Sequence, residues 1–238
     1  AVGARIVKLD GRRKVDGSET FAADAIPLDA WQLRVVRSPH SRARFTLGDL
    51  AAVERLFGIR ILTAAEVPGV NGFAIFPDRK DQPVLATDHV RFRGEAVLAL
   101  VGPAASLAEI RDSDLPITWQ PSAPVTFAAA RTGDGPDLHA DRPGNVLTEG
   151  TLDAGDVDAA LAAAAVTTEL MLETSFVEHA YIEPEAGWAV RQGERIEITV
   201  STQSPYLDRG EVASVLGIAP ESVRIRPSAC GGGFGGKL

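Results

Sequence analysis

Short apolar runs separated by proline and glycine breaks set the pattern of this chain. The longest, residues 96–101, follows Arg93-Gly94-Glu95 and contains no polar member, as suits a strand buried on both faces. Residues 31–37 form a shorter strand between Pro27 and Ser38-Pro39. Asp49 stands where an N-cap belongs, before Leu50, Val53, Leu56 and Phe57 at helical spacing, and Gly58 supplies the stop. Residues 59–62 read as another strand. Residues 68–83 hold three prolines, two glycines and the run Asp78-Arg79-Lys80-Asp81, which predicts a loop. After Pro103 a short helix is expected, over residues 109–114, although no apolar stripe supports it.

The second half begins after a polar stretch, residues 131–150, with Gly133, Gly135, Pro136, Pro143 and Gly144. The expected organisation is an N-terminal basic arm at 1–14, a first domain at 15–135, a linker at 136–150 and a second domain at 151–238. Alanine-rich residues 153–165 predict a helix. Residues 166–174 alternate as a strand would. Residues 186–190 and 195–201 flank Arg191-Gln192-Gly193-Glu194 and read as a hairpin, with Ile196, Ile198 and Val200 on one face. Ser204-Pro205 opens a helix that runs to Leu216 and closes at Gly217. Residues 223–226 are strand-like. The fold class is α+β, in two parts.

Composition narrows the partners. A net charge of −8 argues against a nucleic-acid backbone, which needs a basic surface. Cys230 is the one cysteine, so the chain builds neither a disulfide nor a thiolate cluster, and any iron–sulfur centre belongs to another chain. With no signal peptide or transmembrane run in view, a cytoplasmic location with no membrane partner is expected.

Three places hold candidate chemistry. His40, His89, His139 and His179 are widely scattered, without the close pair on one helix face of a hydrolytic zinc site. His179 stands out because Phe176-Val177-Glu178-His179-Ala180-Tyr181-Ile182-Glu183-Pro184-Glu185 crowds three carboxylates, an imidazole and a phenol together. That segment reads either as a solvated strand end or as the polar wall of a site, with Glu183 held extended before Pro184. The sequence leaves both open. Gln203, between a strand and a capped helix, sits where functional side chains often protrude, and its amide can both donate and accept.

The third place is Cys230-Gly231-Gly232-Gly233-Phe234-Gly235-Gly236-Lys237-Leu238. Without Cβ atoms its backbone can adopt positive φ and bring N–H groups against an anion or oxo ligand. A flexible tail is the rival reading. Gly231, Gly236 and Lys237 also fit G-x-x-x-x-G-K, but Leu238 replaces the magnesium-binding hydroxyl and no helix follows. A nucleotide loop is a remote third.

Taken together these segments resemble the molybdenum-binding subunit of the xanthine dehydrogenase/aldehyde oxidase family, in its N-terminal part. Val15-Asp16-Gly17, Phe21-Ala22-Ala23-Asp24-Ala25-Ile26-Pro27, Val36-Arg37-Ser38-Pro39-His40-Ser41-Arg42-Ala43 and Val90-Arg91-Phe92-Arg93-Gly94-Glu95-Ala96-Val97 resemble its α/β hammerhead domain. Glu178 to Ala186, Ser201-Thr202-Gln203-Ser204-Pro205 and the glycine segment resemble the first part of its molybdopterin-binding domain. The resemblance implies that Gln203 hydrogen-bonds an oxo ligand of molybdenum. It also implies that Phe234 packs beside the metal, with Gly232, Gly233 and Gly235 shaping the loop and no side chain ligating the metal directly.

The resemblance further implies a molybdenum–pterin cofactor shared with a chain carrying the C-terminal half of the subunit, an iron–sulfur subunit with 2Fe-2S clusters, and an FAD subunit. The implied reaction is hydroxylation of an aromatic N-heterocycle or an aldehyde with water-derived oxygen. Purine-oxidising relatives have a glutamate where this chain has Leu238, which speaks against xanthine. The general base and most pterin contacts are expected beyond residue 238, so the polypeptide is expected to be inactive without that other part. The alternative is a non-catalytic interaction module of the same fold.

Overall fold

A computed structural model describes residues 2–74, 76, 79–175 and 177–238. Asp78 of the charged run and Phe176 of the carboxylate-rich segment lie outside the described residues. The strands are β1 (Gln32–Arg37), β2 (Ala43–Leu47), β3 (Arg60–Leu62), β4 (His89–Val90), β5 (Ala96–Gly102), β6 (Ile117–Pro121), β7 (Gly187–Gln192), β8 (Arg195–Val200) and β9 (Val223–Pro227). The helices are α1 (Gly11–Asp16), α2 (Leu50–Phe57), α3 (Ala104–Glu109), α4 (Phe127–Thr132), α5 (Val157–Ala163) and α6 (Pro205–Leu216). The chain divides into two compact units, one formed by Ala1–Pro124 with His179–Leu238, the other by Val125–Glu178.

In the first unit β5 is the centre of the core. It pairs antiparallel with β1 on one side and β3 on the other, and Val97, Leu98 and Leu100 are fully buried. Its unbroken apolar run follows from burial on both faces. A second sheet, in the order β4–β2–β6, adds Ala43, Phe45 and Val90 to the same cluster. The α2 cap forms as expected: the Asp49 carboxylate accepts the Ala52 N–H at 3.0 Å, and Gly58 closes the helix at φ 65°.

The third sheet positions the candidate site. β7 and β8 make the expected hairpin, turning through Gly193 at φ 61°. β9 then pairs parallel to β8, with α6 as the crossover that parallel pairing requires. Ile196, Ile198 and Val200 share one face of β8 as expected and are half-buried, while the buried member of the strand is Glu197. Glu197 is paired with Arg224 at 3.3 Å and Arg226 at 3.5 Å from adjacent β9. The 68–83 loop is tied to α6 through Gly69 N–H to Val215 O at 2.9 Å and the Lys80–Glu211 ion pair at 3.1 Å.

Several sequence expectations need correction. The basic N-terminal segment is not all arm: Gly11–Asp16 form helix α1, where Lys14 reaches Asp10 at 2.8 Å. The helix after Pro103 spans Ala104–Glu109 and not 109–114, where only a 3-10 turn, Asp112–Asp114, is present. Residues 166–174 are not a strand. They lie in the second unit, which holds no strand among its described residues, so their alternation has nothing to pair with.

Candidate functional site

The two candidates 31 positions apart in sequence meet at one end of the third sheet. β8 and β9 run parallel, so the segments leaving them, 201–204 and 228–238, emerge side by side. Gln203 donates its backbone N–H to Lys237 O at 2.8 Å. Its side-chain Oε1 accepts the N–H groups of Gly235 at 3.0 Å and Lys237 at 3.4 Å. Two backbone donors converge on this atom, which fixes it as the oxygen of the amide. The NH₂ end makes no hydrogen bond among the described residues, and the residue is exposed.

The glycines are demanded by packing. A Cβ on Gly233 would lie 2.3 Å from Gln203 Oε1, on Gly231 2.5 Å from Glu183 Cβ, and on Gly236 2.7 Å from Tyr181 Cε1. All three separations are below any real Cβ contact, so the segment is a folded loop seated on Gln203, Glu183 and Tyr181. The flexible-tail reading fails for that reason. Phe234 sits at φ 52°, in the left-handed region that side chains seldom adopt, and the residue is 75% exposed. A tight turn beside it is closed by Gly236 N–H to Gly233 O at 2.7 Å. The N–H groups of Gly232, Gly233 and Phe234 donate no hydrogen bond among the described residues.

Beneath the loop lies a contact that sequence reasoning missed. Glu183 Oε2 accepts from Lys237 Nζ at 2.7 Å, from Gly231 N–H at 2.6 Å and from Ser201 Oγ at 2.8 Å. Lys237 Nζ also donates to Ser201 Oγ at 3.1 Å and lies 4.7 Å from the Tyr181 ring centre. The Lys237 side chain is completely buried. Burial pushes the Glu183 carboxyl up. The Lys237 ammonium, the Gly231 N–H and the Ser201 hydroxyl outweigh it and leave the pKa below the ordinary glutamate value. With its ammonium turned inward onto a carboxylate, Lys237 has no charge to offer a nucleotide phosphate, which removes the P-loop reading.

The remaining residues of the 176–185 segment part company. His179 packs under Gly236, and Glu185 lines a groove of ≈ 560 Å³ walled by Phe73, Ile198, Val200, Ile225 and Leu238. No group of three or more potential ligands that could hold a metal ion occurs among the described residues. No helix among them is long and apolar enough to cross a membrane.

Residues 138–238 match the model of the molybdopterin cofactor-binding domain. The chain is 35% identical to the nicotinate dehydrogenase large molybdopterin subunit of Eubacterium barkeri, over all of this chain and 56% of that protein. It is 31% identical to a probable xanthine dehydrogenase subunit of Bacillus subtilis, over 97% of this chain and 31% of that one. The chain thus spans about half the length, or less, of these relatives. Among solved structures, an aldehyde oxidoreductase of Desulfovibrio gigas superimposes with a TM-score of 0.84 at 22% identity, over 98% of this chain and 27% of that one. Quinoline 2-oxidoreductase of Pseudomonas putida 86 gives 0.77 at 22% identity, over 99% and 31%. Those likenesses establish the mixed helix-and-sheet fold. The chain is thus similar over nearly its whole length to one part of the molybdopterin subunits of these dehydrogenases, and its residues 138–238 match their molybdopterin cofactor-binding domain.

Proposed function

We propose that this chain forms part of a molybdenum hydroxylase and supplies one wall of its molybdenum–pterin site. The observation that carries the reading is the Gln203 amide, held by its oxygen to Gly235 and Lys237 so that its NH₂ is left free beside the glycine loop. The residues fit such a group. An oxygen-rich, anionic cofactor needs donors, and this wall offers the Gln203 NH₂ and the free N–H groups of Gly232, Gly233 and Phe234, with no side chain between them at the glycines. When bound, the molybdenum centre supplies the oxidation, placing a water-derived oxygen on an electrophilic carbon of an aromatic N-heterocycle or aldehyde while two electrons leave.

The work of this chain is orientation and electrostatics. Gln203 donates a hydrogen bond fixed before the cofactor arrives, so no reorganisation is needed during reaction. Gly232, Gly233 and Gly235 let the backbone approach closely, and Phe234 keeps water from the face it covers. Leu238 has no acceptor to offer a polar ring and suits a substrate that is apolar at that point. Residues 15–135 form the hammerhead-like domain, 136–150 a linker and 151–238 the start of the cofactor-binding domain. The electrons pass through 2Fe-2S clusters to FAD on partner subunits, and the rest of the cofactor site comes from the remaining part of the molybdenum subunit.

Metal and pterin analysis tests this. Molybdenum and pterin are expected at stoichiometry when the chain is produced together with the remainder of the subunit, and absent from the 238-residue chain by itself. Stoichiometric molybdenum on that chain alone would show that the site is not shared.

A further inference from the structure

We propose that Glu183 is a positioning residue for the reaction: one of its carboxylate oxygens pins the glycine loop at both ends and so sets the direction of the Gln203 amide. Its three donors come from three separate places. Gly231 opens the loop, Lys237 closes it, and Ser201 directly follows β8 on the way to Gln203. Gln203 is oriented by the N–H groups of Gly235 and Lys237, and Lys237 is held in turn by Glu183. The most direct hydrogen-bonded path from carboxylate to amide runs through Lys237, bonded to Glu183 by its side chain and to Gln203 by its backbone N–H and carbonyl.

Charge is essential to the device. The Lys237 side chain is fully buried and that of Glu183 nearly so, and a buried ammonium is tolerated only when paired and hydrogen-bonded. Glu183 Oε1 is buried with no partner, so the binding falls on Oε2 alone. Glutamine at 183 preserves the shape but leaves the ammonium uncompensated. Lys237 must then seek water, which drags the end of the loop and the Gln203 oxygen's two donors with it. The link to molybdenum rests on the reading of the preceding subsection; the coupling between Glu183 and the loop does not.

The experiment compares the full chain with Glu183→Gln by amide exchange and by the side-chain NH₂ resonance of Gln203 in a glutamine-labelled sample. Exchange at the Gly235 and Lys237 amides, neither of which touches Glu183, is expected to rise by about tenfold or more, given the strength of hydrogen bonds to charged groups. The Gln203 resonance is expected to shift, while amides of Leu98 and Leu100 on β5 keep their protection. Unchanged exchange at Gly235 and Lys237, or faster exchange with an unmoved Gln203 resonance, would overturn the proposal. If Glu183→Gln also loses the β5 protection, Ser201→Ala serves in its place, with about a threefold rise expected from one neutral hydrogen bond and unchanged exchange overturning the idea. Missing molybdenum in the assembled wild-type enzyme would count against the cofactor reading and would leave this comparison intact.

Discussion

The core around β5 and the loop at 230–237 are both closely fixed structures, yet they are held by opposite means. β5 is apolar, paired on two sides and packed against aliphatic and aromatic neighbours, so its stability is spread over many interchangeable contacts. The loop has almost no apolar surface to bury. It is fixed by a few directional bonds converging on Glu183 Oε2 and Gln203 Oε1 and by the absence of Cβ atoms where they would collide. Diffuse packing tolerates the loss of any one hydrogen bond, whereas the loop depends on every one of its bonds. A scaffold can be built the first way; a surface that must present donors at set positions has to be built the second way.

Three measurements can break or sharpen that contrast. The largest effect is expected in the core. Leu98→Ala, at a fully buried site opposite Val36, should lower global stability by about 2–5 kcal/mol in denaturant unfolding. A loss below about 1 kcal/mol would mean that the site collapses freely and that the core is less tightly packed than described. Acid should act on the other region. Because the Glu183 carboxyl is held below its ordinary value, its contribution is complete above the ordinary glutamate range. That contribution is lost as pH falls through the lowered value, so the 230–237 amides should lose exchange protection in acid before those of β5. Simultaneous loss in both regions would merge them into one cooperative unit. The smallest effect on folding is expected from Gln203→Ala, about 1 kcal/mol for one acceptor shared by two N–H groups. In the assembled enzyme the same change should slow turnover about 100-fold or more, as the loss of a preorganised donor does. Equal losses of stability and rate would place Gln203 in the scaffold.

What the sequence made legible follows the same division. The β5 run, the Asp49 cap and the 187–200 hairpin are written in neighbouring residues, and all three form. β2, β4 and β6 were not foreseen. β4 is two residues long, and β6 follows Pro116 and ends at Pro121, signals that ordinarily argue against a strand. The Gln203 and glycine-loop segments could be picked out by composition and resemblance, but their contact could not, because it depends on the parallel pairing of β8 and β9. Glu183 and Lys237 are harder still. They are 54 positions apart, and the sequence alone leaves one between a solvated strand end and the wall of a site and gives the other no role beyond the end of a glycine-rich segment. Only the three-dimensional closure joins them.

The parallel pairing of β8 and β9 also dictates an order of events during folding. A hairpin such as β7–β8 closes a two-residue turn, while β8 must wait for all of α6 to be placed before β9 can lie beside it. Contacts across such long separations form late and slowly. The bonds from Glu183 and Gln203 to Lys237 come later again, since they need β9 seated and the glycine segment returned across its end. The loop is thus the last piece of the first unit to settle. On the function proposed above, a wall that closes only after the sheet is finished would leave an interval in maturation when a large prosthetic group can enter, after the scaffold exists and before the wall has set.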